Sequence, residues 1–68
     1  MGKKITLTER QNELLVFIAA GLSDEEMAQE LGCTVANIRS ISDRLIYKFK
    51  ANNRPNLVYK AFKNGLIK

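Results

Sequence analysis

The sequence predicts an all-α fold of four helices. Two helix-start signatures point there first: Thr8 with Gln11, and Ser23 with Glu26. In each, a hydroxyl residue is followed three positions later by Glu or Gln, so that the two side chains satisfy each other's backbone N–H. Apolar residues then recur at spacings of three and four, the period of a half-buried helix. No useful length of chain alternates with period two, as a half-buried strand would.

Each element follows from local chemistry. The first helix is expected from about Glu9 to Ala20, with Leu14, Leu15, Ile18, Ala19 and then Leu22 on one face and Gly21 as its stop. The second runs from about Asp24 to Leu31 behind its Ser23 cap, and Met27, Ala28 and Leu31 make its apolar stripe. Gly32 supplies the left-handed backbone that ends it, and Cys33 is a small apolar anchor in the turn. Thr34 caps a third helix reaching about Lys50, with Ile38, Ile41, Leu45 and Phe49 buried. Asn52-Asn53-Arg54 reads as a turn, and Pro55 suits the first position of a fourth helix, where its missing N–H costs nothing. Leu57, Val58, Ala61 and Phe62 form the apolar side of that helix, Asn64-Gly65 ends it, and Leu66 and Ile67 fold back over the end.

Sixty-eight residues make one domain, 1–68, with residues 1–6 as an N-terminal arm and a thin core that self-association would reinforce. An apolar content of 46% with 26% charged residues fits a folded domain. The single cysteine allows no internal disulfide, and its expected state is a buried, inert thiol, because nothing basic adjoins it in sequence to lower its pKa. Without histidine there is no ordinary zinc site and the commonest general base is missing. There is no phosphate-cradling glycine loop and no paired-carboxylate cleft. The expectation is therefore no enzyme, no metal or other cofactor, and no small-molecule ligand. The longest apolar run, Leu14 to Ala20, is too short to cross a bilayer, and the start of the chain is unlike a signal peptide. No membrane partner and a cytoplasmic location are expected.

Charge is unevenly distributed. Residues 1–38 carry three basic and six acidic side chains, a balance of −3, whereas residues 39–68 carry eight basic and one acidic, a balance of +7. One basic face suits a polyanion. Ala28, Gly32 and Ile38 stand at the offsets of a helix-turn-helix, a corner that holds its second helix clear of the body, where it can enter a DNA groove.

Over residues 7 to 67 the chain resembles the LuxR-type (GerE-type) helix-turn-helix domain. The matching positions are Leu7-Thr8-Glu9-Arg10, Glu13 and Leu15; Gly21, Ser23, Met27-Ala28 and Leu31; Ile38-Arg39, Leu45 and Lys48-Phe49; and Asn53-Arg54, Leu57-Val58, Ala61 and Gly65-Leu66-Ile67. The resemblance implies a sequence-specific DNA-binding transcriptional regulator that docks its third helix in the major groove and often dimerises through its fourth. The chain departs from the family in two places: Ile41 replaces a usual histidine, and Asp24, Glu25 and Glu26 stand where a basic residue is common. Family members usually attach this domain to a sensor or receiver domain. The expectation here is a stand-alone module, whose signal enters through expression level, dimerisation or a partner.

With the stripe of the third helix buried, steps of about 100° per residue turn Ala36, Arg39, Ser40, Asp43, Arg44 and Tyr47 outward. The resemblance points to Arg39, Ser40 and Asp43 as the base-facing set. Asp43 has two readings, acceptance from a cytosine amine or an ion pair with Arg39 or Lys48. Arg44, Tyr47 and Lys48 are placed for phosphates, with Lys50 and Arg54 extending the line. Ser23 and Thr34 are caps first and phosphate contacts second through the N–H groups at their helix starts; Asn37 reads as a phosphate contact or an exposed polar residue. Lys60, Lys63 and Lys68 read as solvated surface. Val58, Tyr59 and Phe62 are the candidate dimer face, Tyr59 lying partly outside the core side of its helix. The partners implied are double-stranded DNA and a second copy of the chain, with another transcription regulator or RNA polymerase as further alternatives. The competing function is an interaction module that pairs with a larger regulator through its fourth helix and inhibits or modulates it.

Overall fold

A computed structural model describes residues 5–67; the expectations for the first four residues of the arm and for Lys68 fall outside them. Four helices are present and, among the described residues, no strand: α1 (Glu9–Ala20), α2 (Asp24–Leu31), α3 (Val35–Phe49) and α4 (Arg54–Lys63). Both reciprocal caps form. Thr8 Oγ1 accepts from the Gln11 N–H at 3.1 Å while Gln11 Oε1 accepts from the Thr8 N–H at 3.1 Å. Ser23 and Glu26 make the same pair at 3.1 and 2.8 Å. Thr34 caps α3 by accepting from the Asn37 N–H, and Asn53 caps α4 by accepting from the Asn56 N–H. Asn53 therefore takes the cap, Arg54 the first helical position, and Pro55 the second, one place later than its sequence suggested. The N–H at that second position also lacks an intrahelical partner, so proline remains harmless there.

The first three helices end alike, on a residue in the left-handed region with two backbone bonds closing the last turn. At α1 and α2 that residue is glycine (Gly21, φ 89°; Gly32, φ 67°). At α3 it is Lys50 (φ 53°), so the helix stops at Phe49, and the Ala51 N–H closes on the Ile46 carbonyl.

One core joins all four helices: Leu14 and Leu15 from α1, Met27 and Ala28 from α2, Ile38, Leu45 and Phe49 from α3, Leu57 and Ala61 from α4. Each large aliphatic residue removed from water there contributes about 1.5–3 kcal/mol. α3 is the central rod, packed against each of the other three helices. Its buried line is Ile38, Ser42, Leu45 and Phe49, with Ile41 only half-buried. At 100° per residue, Ser42 falls about 30° from the axis of that line and Ile41 about 70°, which explains the exchange.

Two other residues expected in the core are exposed. Ala19 stands at the margin of the α1 stripe, and Phe62 lies about 120° from the Leu57–Ala61 axis of α4 and is 60% exposed. Leu66 and Ile67 pack against the core as expected. Cys33 is a free, half-buried thiol at the core margin rather than a fully buried one.

Candidate nucleic-acid interface

Burial of one line of α3 dictates where its other side lies. With Ile38, Ser42, Leu45 and Phe49 inside, Ala36, Arg39, Ser40, Asp43, Arg44 and Tyr47 all face solvent. Tyr47 is 85% exposed, and the Arg39 side chain 70%. Ser40, Asp43, Arg44, Tyr47 and Lys48, with Gln11 from α1, line a shallow hollow beside the helix. The three expected base-facing residues and two of the expected phosphate contacts, Arg44 and Tyr47, thus share one open edge.

The remaining phosphate candidates are more engaged. The Ser23 and Thr34 hydroxyl oxygens each accept one cap bond, from the Glu26 and Asn37 N–H groups. Asn37 is exposed, its N–H turned into its own helix start. Lys48 Nζ donates to the Thr6 carbonyl at 2.7 Å and to Gln11 Oε1 at 2.8 Å, tying α3 to α1 and to the segment before it. Arg54 Nη1 donates to Asp24 Oδ1 at 2.6 Å. On α4, Tyr59 (57%) and Phe62 are exposed and Val58 is half-buried, and Lys63 Nζ stands 6.0 Å from the centre of the Tyr59 ring. Lys60 is not simply solvated, because its Nζ donates to the Lys50 carbonyl at 2.8 Å.

Among the described residues Asp43 forms no ion pair; Arg39 pairs instead with Asp24, Nε to Oδ2 at 3.5 Å. Asp24 therefore receives both arginines. Hydrogen bonding from Arg54 is the leading cause that holds its carboxyl below the ordinary value of 3.8, with Arg39 adding to it and partial burial opposing. In the sequence Asp24 stands out only as one of three successive carboxylates where the family commonly has a basic residue. Its partners lie 15 and 30 residues away, beyond any periodicity. The acidic start of α2 is accordingly less repulsive than its composition suggests, since Asp24 is paired with two arginines. Among the described residues no cluster of His, Cys, Asp or Glu could hold a metal, and no helix is long and apolar enough to cross a membrane.

A tight α2–α3 corner closed at Gly32, with the outer edge of α3 uncovered, defines a helix-turn-helix domain. The GerE family, described as bacterial regulatory proteins of the luxR family, matches residues 5–61. The chain belongs to that family. It is similar to the probable transcriptional regulator ycf29 of Pyropia yezoensis, with 31% identity over 67 residues, 98% of this chain and 30% of the relative. It is also similar to the response regulator protein VraR of Staphylococcus aureus and of Staphylococcus saprophyticus, with 33% identity over 61 residues, 90% of this chain and 29% of each relative. The chain thus spans under a third of the length of these relatives.

Proposed function

We propose that this chain binds double-stranded DNA sequence-specifically as the DNA-reading domain of a transcriptional regulator, with α3 in the major groove. The observation that carries this reading is the uncovered polar edge of α3, from Arg39 to Tyr47, on a helix whose opposite line is locked in the core. An α-helix with its side chains is about 10–12 Å across, matching a major groove about 12 Å wide. Family membership and the regulators among the relatives support the same conclusion. In this reading Arg39, Ser40 and Asp43 address base edges. Arg44 and Tyr47, with the helix starts at Ser23 and Thr34 and the Asn37 side chain, address phosphates; Lys48 and Arg54 join them only by sharing or giving up their internal acceptors. Two copies paired through Val58, Tyr59 and Phe62 would read half-sites about 34 Å apart. Fluorescence anisotropy with a random duplex pool at low salt, followed by selection of bound sequences, tests it. Absence of binding, or binding without enrichment of any sequence, overturns it.

The exposure of Tyr59 and Phe62 supports a second reading, in which α4 pairs the domain with a larger regulator. Loss of cellular activity with Phe62→Asp but not with Arg39→Ala would select that alternative.

A further inference from the structure

Asp24 receives two arginines on unequal terms. The Arg54 bond is short, at 2.6 Å, and the Arg54 side chain is 35% exposed, so this arm is a strut between the start of α2 and the start of α4. The Arg39 arm is long, at 3.5 Å, and reaches Asp24 through Nε, leaving the two Nη groups without a hydrogen bond among the described residues. Those Nη groups are the fork that contacts a guanine end-on, donating to O6 and N7. Unrestrained, an arginine on an exposed helix edge samples many rotamers, and ordering them opposes binding. A carboxylate on Nε restricts that freedom and leaves the fork unspent. The Arg54 strut in turn fixes the carboxylate.

We propose that Asp24 is a positioning residue for base recognition: anchored by Arg54, it holds Arg39 by Nε and aims its free Nη fork at a guanine. This rests on the DNA-binding reading above, with Arg39 as a base contact. Asp24 also opposes the phosphate backbone, since it carries a negative charge near the same edge. Removing its charge while keeping its shape should therefore have opposite effects on specific and unspecific binding.

The test uses the full chain and two duplexes of equal length and composition, one selected from a random library by the wild-type protein and one scrambled. Asp24→Asn should bind the scrambled duplex as tightly as wild type or tighter, and the selected duplex more weakly. The ratio of the two Kd values should fall by roughly two- to tenfold, the ordering cost of one rotamer-rich side chain, and by less than in Arg39→Ala. In an Arg39→Ala background the same change should leave the ratio unmoved. A merely structural role through Arg54 would shift both Kd values together. Asp24→Glu, which keeps the charge but displaces it along the side chain, should lie between wild type and Asp24→Asn, and it serves if the asparagine variant folds poorly. An unchanged ratio, an equal fall in the Arg39→Ala background, or tighter binding to the selected duplex overturns the proposal alone. A wild-type protein with no preference for any selected duplex removes the DNA-reading proposal and this one together.

Discussion

Single side chains already separate stability from recognition in this domain. The Ser42 hydroxyl is buried in the core line of α3 and, among the described residues, has no hydrogen-bond partner. Stranding such a group costs about 1–3 kcal/mol, so Ser42→Ala should stabilise the fold by about 1 kcal/mol, read as a Tm higher by roughly 4–8 °C. Asp24 makes the opposite kind of contribution. Its carboxyl is held below its ordinary 3.8, so its share of stability is fully present above that value and is lost as the pH falls through the lower, folded-state one. Acid titration followed by circular dichroism should show a shallower loss in that window for Asp24→Asn. An unaltered slope would mean that pairing of Asp24 with the two arginines adds nothing to the stability of the fold. Arg39→Ala acts on recognition instead: it should relax base preference at one position, by about 1–3 kcal/mol, with Tm little changed.

Among the helices, what could be read in advance was what local chemistry controls. Caps with a reciprocal partner three residues on, and glycine stops, gave the bounds of α1 and α2; the buried stripe gave the outward edge of α3. Reading by residue type failed where geometry overrode it. Ser42 is polar yet lies nearer the buried axis than Ile41, and Phe62 is aromatic yet points outward. Contacts far apart in sequence, Lys48 with Thr6 and Gln11 or Asp24 with Arg54, leave no periodic trace, so the candidate site was legible as a set of exposed residues but not as a network. The end of α3 shows the same limit, because Lys50 sits where a glycine was needed. Lys50 is exposed, and relieving its positive φ with Lys50→Gly should stabilise the domain by about 1 kcal/mol in urea unfolding. Lys48→Ala should weaken all duplexes alike and reduce the salt slope by about 1, with a lower Tm from loss of its two internal bonds. A change confined to one sequence would instead mark Lys48 as a base reader.

The described residues measure 38 × 21 × 18 Å, and the chain carries a net charge of +4, concentrated in its second half. With one small core, burying Val58, Tyr59 and Phe62 against a second copy is the simplest route to further stability and to two half-sites. Sedimentation should then show a concentration-dependent dimer that Phe62→Asp abolishes, with a smaller effect on DNA binding by the monomer than Arg39→Ala has on specific binding. Persistence of the dimer in Phe62→Asp would place the contact elsewhere. The chain has no tryptophan and two tyrosines, and each tyrosine marks a different surface: Tyr47 stands 85% exposed on the α3 edge, Tyr59 57% exposed on α4. Ultraviolet-excited emission therefore carries two built-in optical reporters. If the proposed docking edge and pairing face are right, Tyr47→Phe would isolate the signal from self-association and Tyr59→Phe the signal from duplex docking, and both events could be timed in one cuvette without attaching a dye.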